Sequence, residues 1–343
     1  MCLGGFYMFL TSVRKTALAF IAAAAPFIAG GCNEKNGIDK PITLVMAEVN
    51  PEDSITGQFS TAFKNKVEEL SKGTITIDLQ YKGILGDESQ IMKLIVSPDS
   101  SIHLARVSAS LASYGGKKSK LITIPYTFSS AEHFWKFAES EIAEEILNEP
   151  YENGLGVKGI CYGEEGFRNF FATTPLNSLE DMKGLRVRVS NSKTMKDLVK
   201  ALGAEPVEVN FTDLYAKMLI GETNAAEQPI ANYKSNEFHK VSPYMIKDGH
   251  NLGAIQILIN AVAWDSLSPG QQSILKSAGK YATEECKRLA KESEAVVVAQ
   301  LEKEGATIVD VADKKEWQNA CKSVIEESSK EFPELYKKIL ELK

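Results

Sequence analysis

The chain has 343 residues, 44% hydrophobic and 24% charged, an ordinary globular composition. Lys and Arg number 39 against 45 Asp and Glu, a net charge of −6. That balance excludes nucleic acid or an anionic membrane surface as a general partner, because both select a basic face. The length fits two domains at roughly 100–200 residues each.

Residues 1–32 read as a targeting segment. "SVRK" (Ser12–Lys15) is a basic stretch, "TALAFIAAAAPFIA" (Thr16–Ala29) is apolar, and "AGGC" (Ala29–Cys32) closes it with small residues before polar "NEKNG". A Cys after small residues resembles the bacterial lipobox, in which that Cys, here Cys32, is lipid-modified. The lipobox usually has Leu or Val three positions earlier, where this chain has Ala29, so plain cleavage near Ala29–Gly31 stays open. The apolar run is shorter than the roughly 20 residues of a membrane span and contains Pro26. Both Met1 and Met8 fit a start. Residues 33–40 form a polar tether. Of the remaining cysteines, Cys161, Cys286 and Cys321 are odd in number and show no CxxC spacing, so each is expected as a small buried hydrophobe.

Strands and helices then alternate. Ile42–Glu48 is a buried strand, Ser54–Leu70 a helix stopped near Gly73, and Thr74–Tyr81 a strand of period two. A second helix follows "GILGDE", and Ser101–Ser108 is a strand. Leu121–Phe128 reads as a strand closed by Pro125, and "SSAE" (Ser129–Glu132) as a capping box. "GVKGICYG" is a strand. "SLED" (Ser178–Asp181) opens a helical turn that Gly184 closes before the strand "LRVRVS". The helices "NSKTMKDLVKALG" and "FTDLYAKMLIG" flank the short strand "AEPVEVN". Leu252–Trp264 is a long apolar strand region. "SPGQ" (Ser268–Gln271) caps a long amphipathic helix to about Lys303, "ATIVDV" is a short strand, and residues 313–343 are helical. Such alternation predicts a largely parallel sheet in two α/β lobes, with ligands bound at carboxyl strand ends in the cleft between them.

The familiar catalytic motifs are missing or misplaced. "GLGVKG" (Gly154–Gly159) fits GxGxxG, but a helix precedes it and a strand follows, the reverse of the dinucleotide fingerprint. No GxxxxGK[ST], HExxH or GxSxG occurs, and His103, His133, His239 and His250 have no zinc-ligand spacing. No catalytic residue, metal or cofactor is expected. Two arginines are more informative. Arg168 lies among Phe167, Phe170 and Phe171, and Arg188 lies on an apolar strand, so both are expected to be at least partly buried and to need partners. The partner is either structural (Glu164, Glu165 or Asp181) or a carboxylate arriving from outside, which matches a guanidinium fork.

At these residues the chain resembles the solute-binding proteins of TRAP (tripartite ATP-independent periplasmic) transporters, DctP type. The stretches that carry the resemblance are "GILGDE", "LITIPYTFSSAEHFWK", "GFRNF", "SLEDMKGLRVRVS", "ALGAEPVEVNFTDLYAKM", "AEQPIANY" and "AWDSLSPGQQ", in that order. The resemblance implies an α/β, two-lobed periplasmic-binding-protein-like fold with an interlobe ligand cleft and a long helix spanning both lobes. The expected division is residues 41–165 plus about 254–293 for lobe I, and 166–253 plus about 294–343 for lobe II. It implies an extracytoplasmic receptor, expected as a monomer, that binds a small organic acid and delivers it to TRAP membrane permease subunits, with membrane contact only through a lipid on Cys32. A secreted carboxylate-processing enzyme, or a ligand-presenting sensory receptor on the same scaffold, is the alternative.

In the family pattern Arg188 is the carboxylate clamp, Arg168 a second arginine that reaches the ligand, and Gln228 a ligand contact that is commonly Asn. His103 stands where the family often has Asp. Strand-end position adds Glu48, Asn50 and Arg106, and the matched stretches add Glu164, Phe211, Asp213 and Tyr233. Glu48 or Glu164 beside a carboxylate would repel it unless it accepted hydroxyls, which favours sugar acids over simple dicarboxylates. Arg186, beside Gly184, is expected to be exposed or ion-paired.

Overall fold

The computed structural model describes residues 40–109, 116–311 and 313–343. The leader, Cys32 and residues 33–39 of the tether lie outside them. Among the described residues nine strands form one mixed sheet: β1 Ile42–Ala47, β2 Ile75–Gln80, β3 Leu104–Ser108, β4 Val157–Ala172, β5 Arg186–Val189, β6 Glu205–Glu208, β7 Ala225–Pro229, β8 Tyr244–Asn260 and β9 Thr307–Asp310. The order is β2-β1-β3-β8-β4-β7-β5-β6, with β9 also on β8. β1–β2–β3 and β6–β5–β7 are parallel groups, as α/β alternation predicts. The centre departs from that prediction, because β8 runs antiparallel to both β3 and β4, and β4 antiparallel to β7.

β4 and β8 join the two lobes. The first half of β4 pairs with the second half of β8 beside β3, and their other halves pair beside β7. Between Glu164 and Phe167 the register shifts, with Gly166 at φ +92°, a conformation that suits glycine. The bulge separates the half of β4 that lies beside β3 from the half that pairs with β7.

Helices cover both faces. α1 Ile55–Leu70 starts at Ser54, whose side chain accepts from Gly57 N at 2.9 Å, and buries Phe59, Phe63 and Val67 at successive four-residue steps. α2 Glu88–Ile95 opens with a capping box from Asp87 to Gln90 that the sequence reading passed over. α3 Ala131–Ala138 and α4 Glu141–Glu152 follow, then α5 Lys193–Ala201, α6 Leu214–Leu219, α7 Ile230–Ser235 and α8 Ala261–Ser266. α9 Pro269–Lys303 has the expected Ser268–Gln271 box. Its 35 residues reach about 52 Å. Leu275 and Cys286 pack in the cluster of α1 and β1, while Leu301 packs with α6 and α7, so α9 spans both lobes. α10 Lys314–Ala320, α11 Lys322–Ser329 and α12 Pro333–Glu341 close the chain. α12 is clipped to residues 127–133 by Tyr336 Oη with Thr127 Oγ1 at 3.2 Å and by His133 Nε2 with Ile339 O at 2.8 Å.

Four local expectations change. The predicted strand over Leu121–Phe128 is a 3₁₀ turn at Lys118–Thr123, because Leu121 and Ile122 are buried in succession and a strand would send them to opposite faces. Residues 261–266 are α8 rather than a strand. "AEQP", given no element, is the buried strand β7. α3 is capped by Ser130 rather than Ser129. Cys161, Cys286 and Cys321 are buried free thiols. Among the described residues no helix is long and apolar enough to cross a membrane.

Candidate functional site

A cavity opens beside the β4 bulge and the stretch of β8 that faces it. Its walls come from the end of β1 (Asn50), β3 (Arg106), the β4 bulge (Glu165, Arg168), β5 (Arg188) and β7 (Gln228). It encloses about 160 Å³, below the roughly 300–1,000 Å³ of pockets for drug-sized molecules, so it suits a small metabolite.

The three arginines are in different electrostatic states. Arg106 is buried against Glu48, donating from Nε at 2.8 Å and from Nη2 to the other oxygen. Glu48 also accepts from Ser60 Oγ and Asn50 N, at 2.9 and 2.8 Å, so its carboxylate is fully engaged. Arg168 grips Glu227 with Nε and Nη2 and reaches Glu165 Oε1 at 3.2 Å with Nη1. Burial opposes charge on both guanidiniums, but the adjacent carboxylates outweigh it and hold each above the usual arginine range. Glu227 is held down to about 2; burial alone would raise it, and Arg168 reverses that. Behind this pair, His250 lies 3.5 Å from Glu227 and 2.8 Å from Asp248. Burial would lower the imidazole, yet Asp248 holds it up to about 9.

Arg188 differs. It is buried, its Nε donates to Val209 O at 2.8 Å, and its guanidinium carbon sits 5.8 Å from the Phe211 ring. Among the described residues it has no carboxylate within 4.0 Å, and burial pulls it down to about 10. It remains charged at neutral pH, with a fork suited to a carboxylate.

Residues 46–331 match the DctP family, bacterial extracellular solute-binding proteins of family 7. The chain belongs to that family. Among relatives of this DctP protein, a solute-binding protein of Roseobacter denitrificans is 26% identical over 310 residues, 90% of each chain. Its crystal structure with bound L-galactonate superposes with a TM-score of 0.82, over 88% of this chain and 99% of that one. A TRAP periplasmic solute-binding protein of Pseudomonas putida with bound D-glucuronate gives 0.83 at 23% identity, covering 87% and 96%. The C4-dicarboxylate-binding periplasmic protein DctP of Rhodobacter capsulatus is 22% identical over 268 residues, 78% of this chain and 80% of that one. The two-lobed fold expected from sequence is therefore the fold of this chain, and its family and these neighbours are solute-binding proteins.

Of the ten binding residues expected from sequence, Arg188, Arg168, Gln228, Asn50, Arg106 and Phe211 line the cavity of the DctP protein. Four do not line it. Glu48 stands behind Arg106. Glu164 faces α9, where Cys286 Sγ meets its backbone and Gly166 N donates to its carboxyl at 2.5 Å. The bulge turns its neighbour Glu165 to the cavity instead. Tyr233 is buried against Phe171 and donates to Ser242 O at 2.7 Å. Asp213 is exposed at the start of α6. Arg186 is exposed and donates to Glu222 O and Gly221 O, in the turn that follows α6.

Glu165, Glu227, Glu88, Asn232 and Asn251 also line the cavity and were not singled out as ligand contacts. Glu165 was named only as a structural partner for an arginine, and that pairing with Arg168 is present. The signal for Glu227 lay beside Gln228 in "AEQP": a buried acid next to a buried polar residue needs a cation. His103 brackets Val45, its Nδ1 accepting from Val45 N at 3.0 Å while its own N–H donates to Val45 O.

Proposed function

We propose that this protein is the extracytoplasmic receptor of a TRAP transporter, taking up a small sugar acid and delivering it to the membrane permease. The observation that carries this is Arg188, a buried guanidinium in the interlobe cavity with a hydrogen bond to one backbone carbonyl and no acidic partner among the described residues. An incoming carboxylate supplies that partner through two charge-assisted bonds. Arg168, Arg106, Asn50, Gln228 and Phe211 complete the ligand-facing wall. The L-galactonate and D-glucuronate bound by the Roseobacter and Pseudomonas proteins support the sugar-acid class. In this reading Cys32 carries a lipid that tethers a monomer outside the cytoplasmic membrane, and the lobes divide near residues 165 and 253.

Calorimetric titration with L-galactonate and D-glucuronate tests the clamp. Arg188→Ala is expected to lose measurable binding while keeping its circular dichroism, since truncating one partner of a buried charge pair costs about 2–5 kcal/mol. Arg188→Lys is expected to bind poorly, because an ammonium lacks the fork. Arg186→Ala is expected to bind as the parent does. Parental affinity in Arg188→Ala would refute the proposal.

A further inference from the structure

The cavity carries more negative than positive charge. Among the described residues three guanidiniums line it against five carboxylates. Arg106 is matched by Glu48, and Arg168 is shared between Glu227 and Glu165. Once Arg188 has taken a carboxylate, no uncompensated cation remains among the described residues that line the cavity.

Two of the carboxylates are fixed in place. Glu165 is buried, its Oε1 on Arg168 and its Oε2 2.7 Å from Asn232 Nδ2. It lies flat across Gly253, where a Cβ would fall 2.6 Å from Glu165 Cγ, so the wall is shaped to hold it. Glu88 is held by Ser108, which donates from N at 2.9 Å and from Oγ. Between them the polar lining is rich in acceptors. Asn232 Oδ1 and Asn251 Oδ1 are buried without a partner. Their orientation is set by the amide nitrogens, which donate to Glu165 and to Thr123 O. Carboxylate and amide oxygens of this kind are met by O–H donors, and each buried acceptor left unmet is costly.

We infer that the site admits one carboxylate only: Glu165 and Glu88 form a wall that turns away a second acid group and accepts ligand hydroxyls instead. This rests on Arg188 taking the first carboxylate. The ligand class is a polyhydroxylated monocarboxylate. A diacid with the same hydroxyls is rejected, because its second carboxylate meets like charge and acceptors only.

Matched acids test this by calorimetry on the whole protein: L-galactonate against galactarate, and D-gluconate against D-glucarate. Within each pair the four inner hydroxyls keep their configuration and the terminal CH2OH becomes a carboxylate. The monoacid is expected to bind at least about tenfold more tightly in any pair that binds. Glu165→Gln or Glu88→Gln is expected to shrink that ratio at least about threefold by removing one like charge. Glu165 belongs to a buried network, so Glu88→Gln, at the start of α2, provides the second variant, with circular dichroism confirming that each folds. A diacid binding as tightly as its monoacid, or a ratio unmoved by both substitutions, overturns this inference and leaves the receptor reading intact. Failure of every acid to bind the parent protein overturns the sugar-acid reading and this inference with it.

Discussion

Glu164 and Glu165 are adjacent, yet one faces α9 and the other the ligand cavity. Glu164 is the more unusual acid. Burial pushes its carboxyl up to about 7, with Glu165 and Glu294 adding repulsion against the help of Gly166 N–H. The folded protein therefore binds this proton more tightly than the unfolded chain, whose carboxyl titrates near 4.5. Its contribution to stability is complete below that value and is lost as pH rises through about 7. Glu164→Gln is expected to melt above the parent at pH 8, by roughly 1–3 kcal/mol, with little gain at pH 4.5. An equal effect at both pH values would remove the carboxyl as the cause. His250 acts in a higher window. Its folded value of about 9 lies above the ordinary 6.5, so that contribution is present below 6.5 and is lost as pH rises through 9. Melting curves of His250→Gln are expected to lose the parent's decline between pH 7 and 9.5. At this scale alternation alone places Arg186 and Arg188 on one face of the strand as equivalents, and it was the family resemblance that separated them; the structure buries Arg188 and leaves Arg186 exposed. The choice between Glu164 and Glu165 was not legible, because a bulge breaks the alternation on which such a reading depends.

At the scale of elements, β4 depends on a close approach that only glycine permits. A Cβ on Gly159 would lie 2.3 Å from Leu147 Cγ and 2.6 Å from Leu147 O, where α4 packs on the strand. The carbonyl cannot move without disturbing α4. Gly159→Ala is therefore expected to destabilise the protein by about 1–3 kcal/mol, read from urea denaturation. A midpoint equal to the parent's would show that the α4–β4 contact yields freely. Elements with local signals were read correctly from the chain: Ser268 with Gln271 at the head of α9, and Ser178 with Asp181. The elements missed have no local signal. β7 is five residues with Glu, Gln and Pro among them, a poor strand by propensity, and it is held by β4 on one side and β5 on the other. Residues 118–123 form a 3₁₀ turn because both apolar neighbours, Leu121 and Ile122, must be buried in a crowded cluster with Phe128 and Phe134.

For the molecule as a whole, two long strands and one long helix connect the lobes, and the cavity lies beside the two strands. Across the cleft, Asn236 Nδ2 donates to Asn50 Oδ1 at 3.3 Å, and Gly83 lies close enough to Thr212 that a Cβ would clash. A ligand held by both lobes joins them further. Saturating sugar acid is expected to lower the radius of gyration in solution scattering and, at about 100 times the dissociation constant, to add roughly 2.7 kcal/mol of stability. Mass spectrometry of the recovered ligand is expected to show it unchanged; a converted product would mark an enzyme. The sequence by itself determined most of the helices, the two parallel groups of strands and the family, whose pattern singles out Arg188 as the arginine to test. Only the tertiary structure decided which acid neutralises which arginine. Arg106 meets Glu48 from 58 positions away, and Arg168 meets Glu227 from 59. Those pairings follow from sheet order and from the bulge in β4. Charge acts through space, and the distance between two side chains is set by how the strands are laid beside one another.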